Sequence, residues 1–119
     1  MNGSERVSNL RIELLVTADC PRHVLANALL RVTLDRLGLV HVTVHTTVID
    51  TLAGAVRRGF TGSPTILING ADPWPPVEPQ SAIACRLYPT ADGLPDQQEL
   101  AAALHAAVVA CMNGMIVDQ

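Results

Sequence analysis

A chain of 119 residues that is 49% apolar and 16% charged has room for one domain with a packed core, and its composition is not that of a disordered segment. A formal net charge of -3 lacks the basic footprint that phosphate binding needs, so no nucleic-acid partner is expected. Lysine is absent, which excludes a lysine Schiff base and a P-loop lysine; with one Phe, one Trp and one Tyr, the core must be built from Val, Leu, Ile and Ala.

In chain order, residues 1–9 are polar and read as a flexible leader with no apolar stretch for a signal peptide. No apolar run reaches the roughly 20 residues that span a bilayer, so no membrane partner is expected and the cytoplasm is the expected compartment. Residues 11–16 (R-I-E-L-L-V) predict a buried strand. Asp19 is a candidate N-cap and Pro21 suits a first helical turn. Val24, Leu25, Ala28, Leu29, Val32 and Leu37 then recur at helical spacing, and Gly38 supplies a stop.

Residues 40–49 alternate and are β-branched, which predicts a strand with His41, Thr43, His45 and Thr47 on one face. Asp50 and Thr51 can cap a short helix over residues 52–58, ended by Gly59. The turn Thr61-Gly62-Ser63-Pro64-Thr65 leads into the strand Ile66-Leu67-Ile68, which Asn69-Gly70 closes. Residues 71–80 hold four prolines and Trp74, and so predict an ordered excursion or lid, with the indole as a plug on the core or a dimer contact. A fourth strand is predicted over residues 81–88. Asp96, with Glu99 three residues on, caps a last helix to about Cys111, followed by a tail over residues 112–119. The order is β-α-β-α-β-β-α: an α/β domain over residues 10–111 with a four-stranded mixed sheet.

The chemistry centres on Cys20. A strand that leads into Cys-Pro at a helix start sets the sulfur near free N–H groups, where the helix dipole favours thiolate. His23 lies one turn along the same face and could stabilise that thiolate or shuttle a proton. The plain alternative is a buried cysteine beside a surface histidine. The Ser63-Pro64-Thr65 turn arrives at the same sheet end, and a cis Pro64 would offer the Ser63 backbone to an extended substrate. An X-Pro bond is cis only about 5% of the time, so local preference predicts trans.

The Cys20-Pro21 pair after the first strand and the Gly62-Ser63-Pro64-Thr65 turn before the third resemble the thioredoxin superfamily. More narrowly, Asp19-Cys20-Pro21, the stretch G-S-P-T-I-L-I-N-G-A-D-P over residues 62–73 and Cys85-Arg86-Leu87-Tyr88 look like a group of small bacterial thioredoxin-like proteins often labelled alkylmercury lyase-like. The resemblance implies a thioredoxin-like sandwich whose cis-proline turn (Ser63, Pro64, Thr65) binds substrate opposite the active Cys20. The sequence departs from the superfamily pattern C-x-x-C, since Cys20-Pro21-Arg22-His23 lacks the resolving cysteine. That rules out a dithiol cycle at this motif and leaves a monothiol cycle on a small thiol or protein disulfide.

Cys85 is the candidate second thiol, with core packing the plainer role. Two thiolates from Cys20 and Cys85 would suit a soft metal or an organomercurial, although no spacing demands a metal. Cys111 reads as a packing residue. His41 and His45 lie about 13 Å apart along a strand and are no ligand pair. Arg57 and Arg58 complement a helix C-terminus or recognise a carboxylate such as that of glutathione. Arg86 and Asp92-Gly93 fall where glutaredoxin-like proteins bind glutathione, without the glycine pair of those proteins. No cofactor is implied. Two further classes stay open: a non-catalytic binding module that forms a homodimer or a complex, and soft-metal handling.

Overall fold

The computed structural model describes residues 10–76 and 86–117. Within them the chain is an α/β fold of three strands and three helices. We number the elements β1 (Ile12–Val16), α1 (His23–Arg36), β2 (Val44–Val48), α2 (Leu52–Arg58), β3 (Thr65–Ile68) and α3 (Gln97–Val117). The sheet order is β2-β1-β3, with β2 parallel and β3 antiparallel to β1.

The central position of β1 explains its burial on both faces. Ile12, Leu14 and Val16 join Ile66 and Ile68 of β3 in one core, closed by Leu30 and Leu34 of α1 and Leu100 and Leu104 of α3. On the other face Leu15 and Leu67 meet Ile49, Ala55 and Phe60. Phe60, the one phenylalanine, is fully buried there, a burial that contributes about 1.5–3 kcal/mol. Glu13 sits on this second face and is buried too, paired with Arg58 of α2 and with Arg11 at 3.5 Å.

Local chemistry sets several boundaries. Thr51 accepts a hydrogen bond from Gly54 N at 2.9 Å and starts α2, while Gly59, at φ 62°, ends it. Asn69 and Gly70 both take positive φ, and Ile68 and Ala71 exchange backbone hydrogen bonds across the turn. Asp96 accepts from Glu99 N at 3.1 Å to open α3.

Other boundaries differ from the sequence expectation. β2 begins at Val44 and not at Val40, because residues 39–43 are pinned as a turn. The Arg31 guanidinium donates to Val42 O at 2.6 Å and to Leu39 O at 3.0 Å. The cap of α1 is Arg22, with no side-chain hydrogen bond, and not Asp19, which lies in the turn that Cys20 N closes on Thr17 O at 3.2 Å. The face of α1 that packs is Ala26, Leu30, Thr33 and Leu34. Val24, Leu25 and Val32 of the expected stripe are exposed, Val24 by 76%, because the helix carries apolar side chains nearly all round and spacing alone does not choose its inner face.

Of the expected fourth strand, residues 81–85 lie outside the described residues. Arg86, Leu87 and Tyr88 are irregular, since the Arg86 N–H is spent on Ser63 O. The described sheet therefore has three strands. α3 runs through Val117, past the expected end near Cys111. No helix among the described residues is long and apolar enough to cross a membrane.

Candidate functional site

β1 ends at Val16 and β3, antiparallel to it, begins at Thr65, so the loops that carry Cys20 and Pro64 leave the same end of the sheet. They are joined there. Thr17 N donates to Ser63 Oγ at 3.0 Å, and Cys20 N donates to Thr17 O at 3.2 Å. Cys20 is half-buried and packs against the main core. His23, also half-buried, opens α1 and donates its backbone N–H to Cys20 O at 3.3 Å. Cys20 thus sits in the turn before the helix, three residues ahead of its first residue.

A third loop reaches the same end. A Cβ on Gly93 would lie 2.9 Å from Arg22 Nε and 3.0 Å from Leu87 Cδ2, so the Arg22 side chain rests against a position where only glycine leaves room. Gly93 also has φ 74°, which glycine adopts without strain. Asp92 holds this loop by accepting from Leu94 N and the Thr90 hydroxyl, and these bonds keep its carboxyl below the usual range.

The Ser63–Pro64 peptide bond is cis, where local preference favours trans. Ser63 is fully buried. Its hydroxyl accepts from Thr17 and its carbonyl from Arg86 N at 2.8 Å. Pro64 O accepts from Tyr88 Oη at 3.0 Å, and the Thr65 hydroxyl donates to Gly62 O. All three turn residues are therefore engaged by bonds within the chain.

Arg86 organises this engagement. Its guanidinium binds Asp72 Oδ2 at 2.7 Å and Oδ1 at 3.5 Å, the Thr65 hydroxyl at 3.3 Å and Trp74 O. It also lies 4.6 Å over the Tyr88 ring. Both ionic partners are largely withdrawn from solvent, at 12% and 17% side-chain exposure, which suits a forked, hydrogen-bonded pair. A Cβ on Gly62 would come within 2.8 Å of Arg86 Cβ, so the approach of Arg86 to the turn requires glycine there. Burial pushes the Tyr88 hydroxyl up in pKa, further than the neighbouring Arg86 pulls it down, so it stays a donor to Pro64 O.

Trp74 is half-buried against the core, edge-to-face with Tyr88 at 5.6 Å, and its indole N–H donates to Glu99 Oε1 at 3.0 Å. Glu99 therefore does not close a capping box on Asp96. Sequence reasoning named Arg86 and Trp74 but missed the Asp72, Tyr88 and Glu99 partners. Asp72-Pro73-Trp74 and Arg86-Leu87-Tyr88 were visible as strings, but their meeting is a long-range event. Arg58, expected to complement a helix C-terminus or to recognise a carboxylate, meets a carboxylate of the chain itself, that of Glu13.

Cys85 lies outside the described residues. Cys111 is at the far end of the sheet, where Asn69 Nδ2 approaches its sulfur at 3.7 Å. His41 and His45 are exposed. Among the described residues no three His, Cys, Asp or Glu side chains gather closely enough to hold a metal ion. No family model, curated protein or solved structure matches this chain.

Proposed function

We propose that the chain is a thioredoxin-like domain that performs monothiol exchange through Cys20, with His23 as its proton partner and the buried Ser63-Pro64-Thr65 turn as the support that holds the Cys20 loop in place. The observation that carries this reading is the tie of the two loops through Thr17, which accepts from Cys20 N and donates to Ser63 Oγ. The element order β-α-β-α-β with β3 antiparallel to a central β1 supports the same reading. The four-stranded sheet of such a domain needs one strand beyond the three described. A free thiol of this kind suits a reducing compartment such as the cytoplasm.

In the exchange, the Cys20 thiolate attacks one sulfur of a small or protein disulfide. The S–S bond breaks, a mixed disulfide forms on Cys20, and the other sulfur leaves as a thiolate that takes a proton from His23. A second small thiol gives its proton back to His23, and its thiolate attacks the mixed disulfide, releases the new disulfide and restores the Cys20 thiolate. No net electrons remain on the protein. A second reading, a scaffold that binds a protein partner or a second copy, is favoured by the exposed side chains of β2 on the outer edge of the sheet.

The test is the rate of an aromatic disulfide probe at neutral pH, with the mixed disulfide mapped by mass spectrometry. Cys20 is expected to react at least about tenfold faster than a thiol of the unfolded chain. The fast phase should vanish in Cys20→Ser, persist in Cys111→Ser and slow in His23→Gln. A Cys20 that reacts no faster folded than unfolded overturns the proposal, and concentration-dependent assembly in light scattering would then favour the scaffold.

A further inference from the structure

A cavity of about 160 Å³ lies between the Arg86 network and the start of α3. Trp74 and Tyr88 form its aromatic corner, Pro89 and Pro95 its rim, and Asp96 and Glu99 bring two carboxylates to it. We propose that this cavity binds a small organic cation, specifically a methylated ammonium group on a substrate or partner. The inference does not depend on the chemistry of Cys20.

Size comes first. At about 30 Å³ per water the cavity has room for roughly five, which matches a quaternary ammonium headgroup better than a larger ring system. The walls follow. Tyr88 is buried and already carries the Arg86 guanidinium on its ring at 4.6 Å. Trp74 is only half-buried and is the ring with surface left to offer, and indole is the strongest of the aromatic cation binders. Its N–H donates to Glu99 Oε1 at 3.0 Å. A hydrogen bond to a carboxylate polarises the indole and makes its face a better partner for positive charge.

Charge decides the sign of the ligand. Among the described residues two cations come near these walls: Arg86 is chelated by Asp72, so that pair is close to neutral, and Arg36 is exposed to solvent and spent on Gln97 Oε1 at 3.2 Å. The N-terminus of α3 contributes about half a positive charge, less than the two negative charges of Asp96 and Glu99. Asp96 spends Oδ2 on the Glu99 N–H and Glu99 spends Oε1 on the indole, so among the described residues the second oxygen of each carboxylate has no hydrogen-bond donor. Mixed aromatic, proline and carboxylate walls select an organic cation over an anion, and methyl groups on that cation suit the tryptophan and proline side of the cavity.

Trp74 is the sole tryptophan, so its fluorescence reports this cavity alone. The experiment titrates the full chain with choline at low ionic strength, against 3,3-dimethylbutan-1-ol, its uncharged isostere. The expected result is a saturable emission change with choline, with Kd on the order of millimolar, and none with the isostere. Glu99→Gln keeps an acceptor for the indole and should weaken choline roughly tenfold. Added salt should weaken it as well. An equal response to the isostere, no saturable response to choline, or an unchanged affinity in Glu99→Gln overturns the proposal.

Discussion

Glu13 shows how a single carboxylate can tie the fold to pH. Burial would push its carboxyl up, but the Arg58 guanidinium, with Arg11, holds it below its ordinary value of 4.5. A carboxyl whose folded value is lowered contributes stability that is fully present above the unfolded value and lost as pH falls through the folded one. Unfolding midpoints in urea should therefore be level above pH 4.5 and drop as acid passes through the lowered value. The Glu13→Gln variant should be less stable at neutral pH and show a shallower decline over that window. A wild-type decline that Glu13→Gln leaves unchanged would assign the acid response to other groups.

Among the elements, α2 depends most on its ends, because seven residues form too short a helix to hold by propensity. Its Thr51 cap should contribute about 1 kcal/mol, so Thr51→Ala should lower stability by that amount in urea unfolding while Thr51→Ser keeps most of it. A Thr51→Ala protein as stable as the parent would show that packing of Ala55 and Phe60 alone holds the helix. This cap was legible in the sequence, as were Gly59, Asn69-Gly70 and Asp96, because each acts on backbone groups a few residues away. The buried face of α1 was not legible, since Val24, Leu25 and Val32 compete with Ala26 and Leu30 for the inside. Nor was the start of β2, which Arg31 decides from a different element. For the site, Cys20, His23 and the Pro64 turn could be placed at one sheet end from element order. The Arg86 partners could not, because Asp72 and Thr65 lie 14 and 21 residues away in the chain.

Across the whole molecule, stability should be graded from the centre of the sheet outwards. β1 pairs on both sides and Ile12, Leu14, Leu15 and Val16 are fully buried, whereas β2 pairs with β1 and has exposed side chains. Native-state hydrogen exchange should find the slowest amides in β1 and faster ones in β2. Equal protection of the two would show that the outer edge of β2 is covered in solution, as a second copy paired along it would cover it.

The Arg86 guanidinium also bears on the order in which the molecule forms. Its partners come from the Gly62 turn, the Asp72 to Trp74 stretch and the Tyr88 ring, and no two of these stretches adjoin in the chain. The contacts to the Gly62 turn and to the Asp72 to Trp74 stretch each require closure of a loop before they return any stabilisation. A half-assembled version would leave a guanidinium and a carboxylate withdrawn from water without each other, which is the least favourable arrangement of the two. The network is therefore expected to close late and in one step. The turn that is tied to the Cys20 loop through Thr17 would then be fixed only in chains that have finished folding, and a nascent or damaged copy would carry its thiol on a loop without that anchor.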